Sequence, residues 1–97
     1  MLRLLKVTGH SLTPKYQEGD FVLISKIPFL FHAPRPGDIV AFHHPRYGTM
    51  IKQVAQVDPQ AQSLVVTGTH PDSIDSRQFG PISRQSLLGK VIWHIHP

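Results

Sequence analysis

A mainly β fold, with short coiled antiparallel strands forming a partly open barrel, is what this chain of 97 residues predicts. Three observations carry that expectation. Nine prolines and seven glycines are scattered along the whole length and leave little space for long helices. The apolar residues come in short runs, some with the alternation of a half-buried strand. Clusters of turn formers separate those runs, as in Asp58-Pro59-Gln60-Ala61-Gln62. With 40% hydrophobic and 16% charged residues the composition is that of a folded globule, and residues 1–97 read as one domain.

Taken in order, Leu2-Arg3-Leu4-Leu5-Lys6-Val7 alternates enough for a first strand ending at Gly9. The polar stretch from Ser11 to Asp20, with Pro14 and Gly19, connects it to the next, so Ser11 sits just past a strand end. Phe21 to Ile24 suits a buried strand, and the proline-bounded segment Ile27 to Pro36 reads as a loop. Gly37-Asp38 opens a third strand, Ile39 to Phe42, after which His43 to Gly48 turns the chain back. Met50 to Val57 and Ser63 to Thr67 form a hairpin, with Lys52 inside its first strand. Gly68 to Pro81 is a polar loop, long enough in so small a domain to suggest a functional role, and Gly89 to Ile95 is a last strand closing the sheet.

Composition also excludes. There is no cysteine, which removes disulfides, thiolate metal sites and cysteine-protease chemistry together. The net charge of +4 comes from ten Lys and Arg against six Asp and Glu, but no basic run exists, so nucleic acid is not an expected partner. The N-terminal apolar stretch is broken by Arg3 and Lys6, and Phe21 to Ala33 carries Lys26 and Pro28, so neither reads as a membrane span. The chain is expected to be soluble and cytoplasmic. Ile27-Pro28-Phe29-Leu30-Phe31 is left either as core packing or as a peripheral contact with membrane or substrate. The pairs His43-His44 and His94-x-His96 could present adjacent imidazoles. Consecutive strand residues face opposite sides, however, and the second pair lies at the chain end, so they are read as surface histidines and no metal or other cofactor is expected.

Two residue types carry chemistry. Ser11 stands at a strand-to-turn junction, where a hydroxyl is either a turn cap or an exposed nucleophile. Lys52 is embedded between apolar neighbours in Met50-Ile51-Lys52-Gln53-Val54, where it either snorkels or is buried. Burial disfavours the ammonium form, and a neutral amine can take the proton of a serine hydroxyl without help from a histidine or a carboxylate.

Three blocks, Gly9-His10-Ser11-Leu12-Thr13-Pro14, Gly37-Asp38-Ile39-Val40-Ala41-Phe42 with Ile51-Lys52-Gln53, and Ser73-Ile74-Asp75-Ser76-Arg77-Gln78-Phe79-Gly80, resemble the type I signal peptidase family of Ser/Lys serine proteases. Gly9-His10-Ser11-Leu12-Thr13-Pro14, with Gly19-Asp20 behind it, is similar to the family's nucleophile box, with Leu12 where Met is usual. Gly37-Asp38-Ile39-Val40-Ala41-Phe42 followed by Ile51-Lys52-Gln53 resembles the segment that supplies the base, with Gln53 where Arg is common. Ser73-Ile74-Asp75-Ser76-Arg77-Gln78-Phe79-Gly80 is similar to a third family segment, with one residue fewer before the serine.

The resemblance implies a signal-peptidase-like fold, shared with self-cleaving repressors, and assigns the roles. Ser11 is the nucleophile and Lys52 the general base. Ser73 hydrogen-bonds and orients the Lys52 amine, while Asp75 and Arg77 form an ion pair beside the site. The Ser11 backbone N–H is the oxyanion donor, since Gly9 offers no hydroxyl. The implied activity is endoproteolytic removal of an N-terminal leader or propeptide from a precursor protein through an acyl-enzyme. The soluble members of the family, including the maturation proteases of nickel superoxide dismutase, are the most similar in form. Two other readings remain: a catalytically silent module that holds an extended peptide by strand addition, and a self-cleaving repressor domain, which needs a DNA-binding segment and an internal cleavage loop.

Overall fold

β-Branched and aromatic residues concentrated between turn formers fold here as seven antiparallel strands in one sheet. The computed structural model describes residues 2–7, 15–70 and 73–95. The strands are β1 (Leu2–Lys6), β2 (Phe21–Ser25), β3 (Ile39–His44), β4 (Gly48–Asp58), β5 (Ser63–Thr67), β6 (Ile82–Ser83) and β7 (Leu87–Ile95). They lie in the order β1-β2-β7-β3-β4-β5-β6, and the sheet is not closed into a barrel. The mainly β expectation therefore holds, and β1 and β6 are the open edges.

Alternation along β3 explains the core. Val40 and Phe42 face one cluster, with Val54, Leu64, Val66, Ile82 and Leu87. Ala41 faces a second, with Val7, Tyr16, Val22 and Ile24, against which Ile39 and Ile51 also pack. A strand buried on both faces must be apolar at successive positions, and Val40, Ala41 and Phe42 are all fully buried. The β4 register then decides where Lys52 goes. It pairs with Val40, and the strand period of two puts it on the face of Met50 and Val54.

Several sequence expectations are corrected. The last strand does not close an edge of the sheet: β7 lies in its middle, paired with β2 on one side and β3 on the other. His43 and His44 belong to β3, which runs on to pair His44 with Gly48, so the turn is tighter than the sequence suggests. The segment from Ile27 contains a helical turn, α1 (Pro28–Phe31), started by its proline at the first position. Of the two roles left open for it, core packing is met in part. Phe29 packs on the core, while Leu30 and Phe31 are 77% and 83% exposed. The polar loop after β5 holds a second helical turn, α2 (Ser76–Phe79), and β6 follows it. None of the helices among the described residues is long and apolar enough to cross a membrane.

The central position of β7 requires a close approach. A Cβ built on Gly89 would lie 2.9 Å from the backbone carbon and oxygen of Ser25 on β2, inside van der Waals contact with atoms that cannot swing away. Gly89→Ala is expected to cost about 1–3 kcal/mol by overpacking and to lower Tm by roughly 5–15 °C. A thermal melt followed by circular dichroism checks it.

Candidate active site

Lys52 is the anomaly from which the site is built. Its side chain sits in the core face of β4 and the residue is 3% exposed. No hydrogen bond or ion pair holds its amine among the described residues. Burial lowers its pKa from the ordinary lysine value, and the charge of Asp75 opposes that shift in part. The result is an amine biased toward the neutral, proton-accepting form.

Asp75 is fully buried and held on every side. It is the N-cap of α2. Its Oδ1 accepts from the Arg77 backbone N–H at 3.0 Å, and its own N–H donates to Gln78 Oε1 at 2.9 Å, completing a capping box. Oδ2 accepts from the Gly68 N–H at 2.9 Å, tying the loop to the end of β5. The Arg77 guanidinium grips both oxygens, Nε to Oδ1 and Nη2 to Oδ2, each at 3.0 Å. Burial alone would raise the Asp75 pKa, but the bonds from Arg77 and the Gly68 N–H outweigh it and bring the carboxyl to about 2.

Ser73 is buried in the same cluster, but its hydroxyl does not meet the lysine as expected. It donates to Asp75 Oδ2 at 3.3 Å and receives the Arg77 Nη2–H at 3.4 Å. Asp75, to which Ser73 bonds, acts on Lys52 through its charge. Ser11, with its backbone N–H, and the residues around it from 8 to 14 lie outside the described residues.

Beside Lys52 opens a cavity of about 430 Å³, lined among others by Leu5, Val7, Tyr16, Met50 and Ile74. Its walls mix apolar side chains with polar ones, Lys6 and Thr49 lining it as well as Lys52. Val7 and Tyr16 flank the segment that contains Ser11, and both line this cavity together with Lys52. Sequence reasoning missed Tyr16, and it also missed His94. Read as a frayed surface residue, His94 is in fact bonded to Asp20 at 2.7 Å. The alternation of β7 gave no hint, because the partner lies 74 positions away.

The β sheet thus buries a lysine beside a cavity, and comparison with known proteins gives the class. The family model described as signal peptidase, peptidase S26, matches residues 1–61, and the chain belongs to that family. The match includes the blocks around Ser11 and Lys52 and ends before Ser73. Among curated proteins the chain is similar to the probable signal peptidase I-1 of Synechocystis sp., 36% identical over 39 residues. Those residues are 40% of this chain and 20% of that relative, so the similarity spans a fifth of the relative's length.

Proposed function

We propose that this chain is a serine endopeptidase in which Ser11 attacks the scissile carbonyl and Lys52 serves as general base. The observation that carries the reading is the convergence of Val7, Tyr16 and Lys52 on one cavity. Val7 and Tyr16 are described residues on either side, in the sequence, of the segment that contains Ser11. Neutral Lys52 takes the Ser11 proton as the Ser–acyl bond forms, then gives it to the departing amine. It next takes a proton from the water that cleaves the acyl-enzyme. The Ser11 backbone N–H is the assigned donor to the tetrahedral oxyanion.

Asp75, clamped by Arg77 and Ser73, sets the charge felt by the lysine without touching substrate. A leader or propeptide of a precursor protein, bound extended with a side chain in the cavity beside Lys52, is the substrate class that fits. Precursors of the nickel superoxide dismutase kind are one candidate for it.

The test is acylation of Ser11 by a β-lactone or penem, with cleavage of a panel of precursor peptides in parallel. Because the neutral amine is the active form, the rate should fall as pH drops below the Lys52 pKa. The midpoint should lie below that of a free lysine. A protein that neither cuts nor is labelled would be a peptide-binding module of the same fold.

A further inference from the structure

A buried polar contact joins the turn after the Ser11 segment to β7 and has no part in the mechanism above. His94 Nε2 lies 2.7 Å from Asp20 Oδ2, with the two side chains 17% and 6% exposed. A carboxylate can only accept, so the imidazole Nε2–H is the donor. The same oxygen accepts the Gln17 N–H at 3.0 Å, and the Asp20 N–H bonds the Gln17 carbonyl at 3.0 Å. Tyr16, buried in the core, lies against the imidazole with ring centroids 4.3 Å apart. His94 itself pairs in register with Val22, a fully buried residue of β2. The imidazole is thus a fixed post and Asp20 is fastened to it.

Asp20 is also half of a stem. The Val7 N–H donates to the Asp20 carbonyl at 2.7 Å, and the Gly19 N–H donates to the Val7 carbonyl at 3.0 Å. These two bonds close a loop, and Ser11 belongs to it. Both Val7 and Tyr16, at the base of that loop, face the cavity that holds Lys52. We propose that His94 is a positioning residue whose bond to Asp20 locks the stem of the Ser11 loop. It thereby fixes where the nucleophile stands relative to Lys52. The second half rests on the Ser11–Lys52 assignment; the locking of the stem does not.

Three variants separate the contributions. His94→Gln keeps a side-chain N–H donor, His94→Phe keeps a ring against Tyr16 but has no donor, and His94→Ala loses both. Each is measured by amide hydrogen exchange and by the rate of Ser11 acylation across pH. In His94→Phe and His94→Ala the Val7 and Gly19 amides should exchange at least roughly tenfold faster while the β3 and β4 amides keep their protection. Acylation should slow by roughly tenfold or more at an unchanged pH midpoint. His94→Gln should stay within about threefold of the wild type on both.

Wild-type exchange and acylation in His94→Phe would overturn the proposal. So would accelerated exchange spread evenly over the sheet, which marks an ordinary core contact. A wild type whose Ser11 is never labelled sinks the dyad and the nucleophile-positioning half with it. Exchange at Val7 and Gly19 then still decides whether His94 holds the stem.

Discussion

Lys52→Met should give a protein without measurable peptidase activity that melts several degrees above the wild type. The activity loss follows from the assigned role. Removing a proton acceptor from a nucleophile–base unit costs roughly 10⁴-fold or more in rate. Lys52→Arg should be as inactive, because a guanidinium does not give up its proton in the accessible pH range.

The gain in stability follows from burial. Burial lowers the Lys52 pKa, so below that pKa the fold carries a charge it disfavours. A methionine of similar length keeps the packing on Met50 and Val54 without the charge. The sign is fixed by linkage. The folded pKa lies below the unfolded one, so the wild type gains stability as pH rises toward the ordinary lysine pKa, and Lys52→Met should lack that rise. Melts between pH 7 and 10 with acylation assays on the same samples check both halves. An active Lys52→Met would end the proposed mechanism.

Asp75→Asn should lower stability and move the pH dependence of activity in the acid direction. The amide nitrogen of asparagine cannot accept: in place of Oδ2 it leaves the Gly68 N–H and the Arg77 Nη2–H without their oxygen, and in place of Oδ1 it leaves the Arg77 backbone N–H and Nε–H without theirs and weakens the α2 cap. A loss of about 2–4 kcal/mol is expected, or roughly 10–20 °C in Tm for a domain of this size. The wild-type carboxyl at about 2 sits below the ordinary value, so its contribution is complete above pH 4 and disappears as pH falls from about 4 to 2. The acid limb of the stability curve should therefore be shallower in Asp75→Asn. Removing the negative charge also removes what opposes the lowering of the Lys52 pKa. In the folded fraction the activity midpoint should move to lower pH. An unmoved midpoint would show that Asp75 shapes the loop and leaves the lysine alone.

Strand positions were legible because alternation is local. The hairpin of β4 and β5, with its Asp58–Gln62 loop, came out of the sequence nearly residue for residue. Lys52 was legible for the same reason, as a charge in an apolar run. What escaped depends on register and sheet order, which the local pattern does not encode. Nothing in Leu87 to Ile95 says that it inserts between β2 and β3. The pairing of His94 with Asp20 was hidden for that reason. The hydroxyl of Ser73 went astray on a finer scale. A serine two residues before an aspartate has a nearer acceptor than any lysine across the sheet, and it bonds to that acceptor.

The place of β7 also sets a condition on when the molecule can exist. Its two sides carry the sheet's hydrogen bonds between β1 and β2 on one hand and β3 to β6 on the other. Until Leu87 to Ile95 have been synthesised, these are two separate pieces of sheet, with Ser11 tethered to one and Lys52 built into the other. The order of synthesis thus keeps the two groups of the proposed dyad on unjoined pieces until β7 has been made. The two groups of the proposed dyad are brought together by β7, after both pieces that it joins have been made.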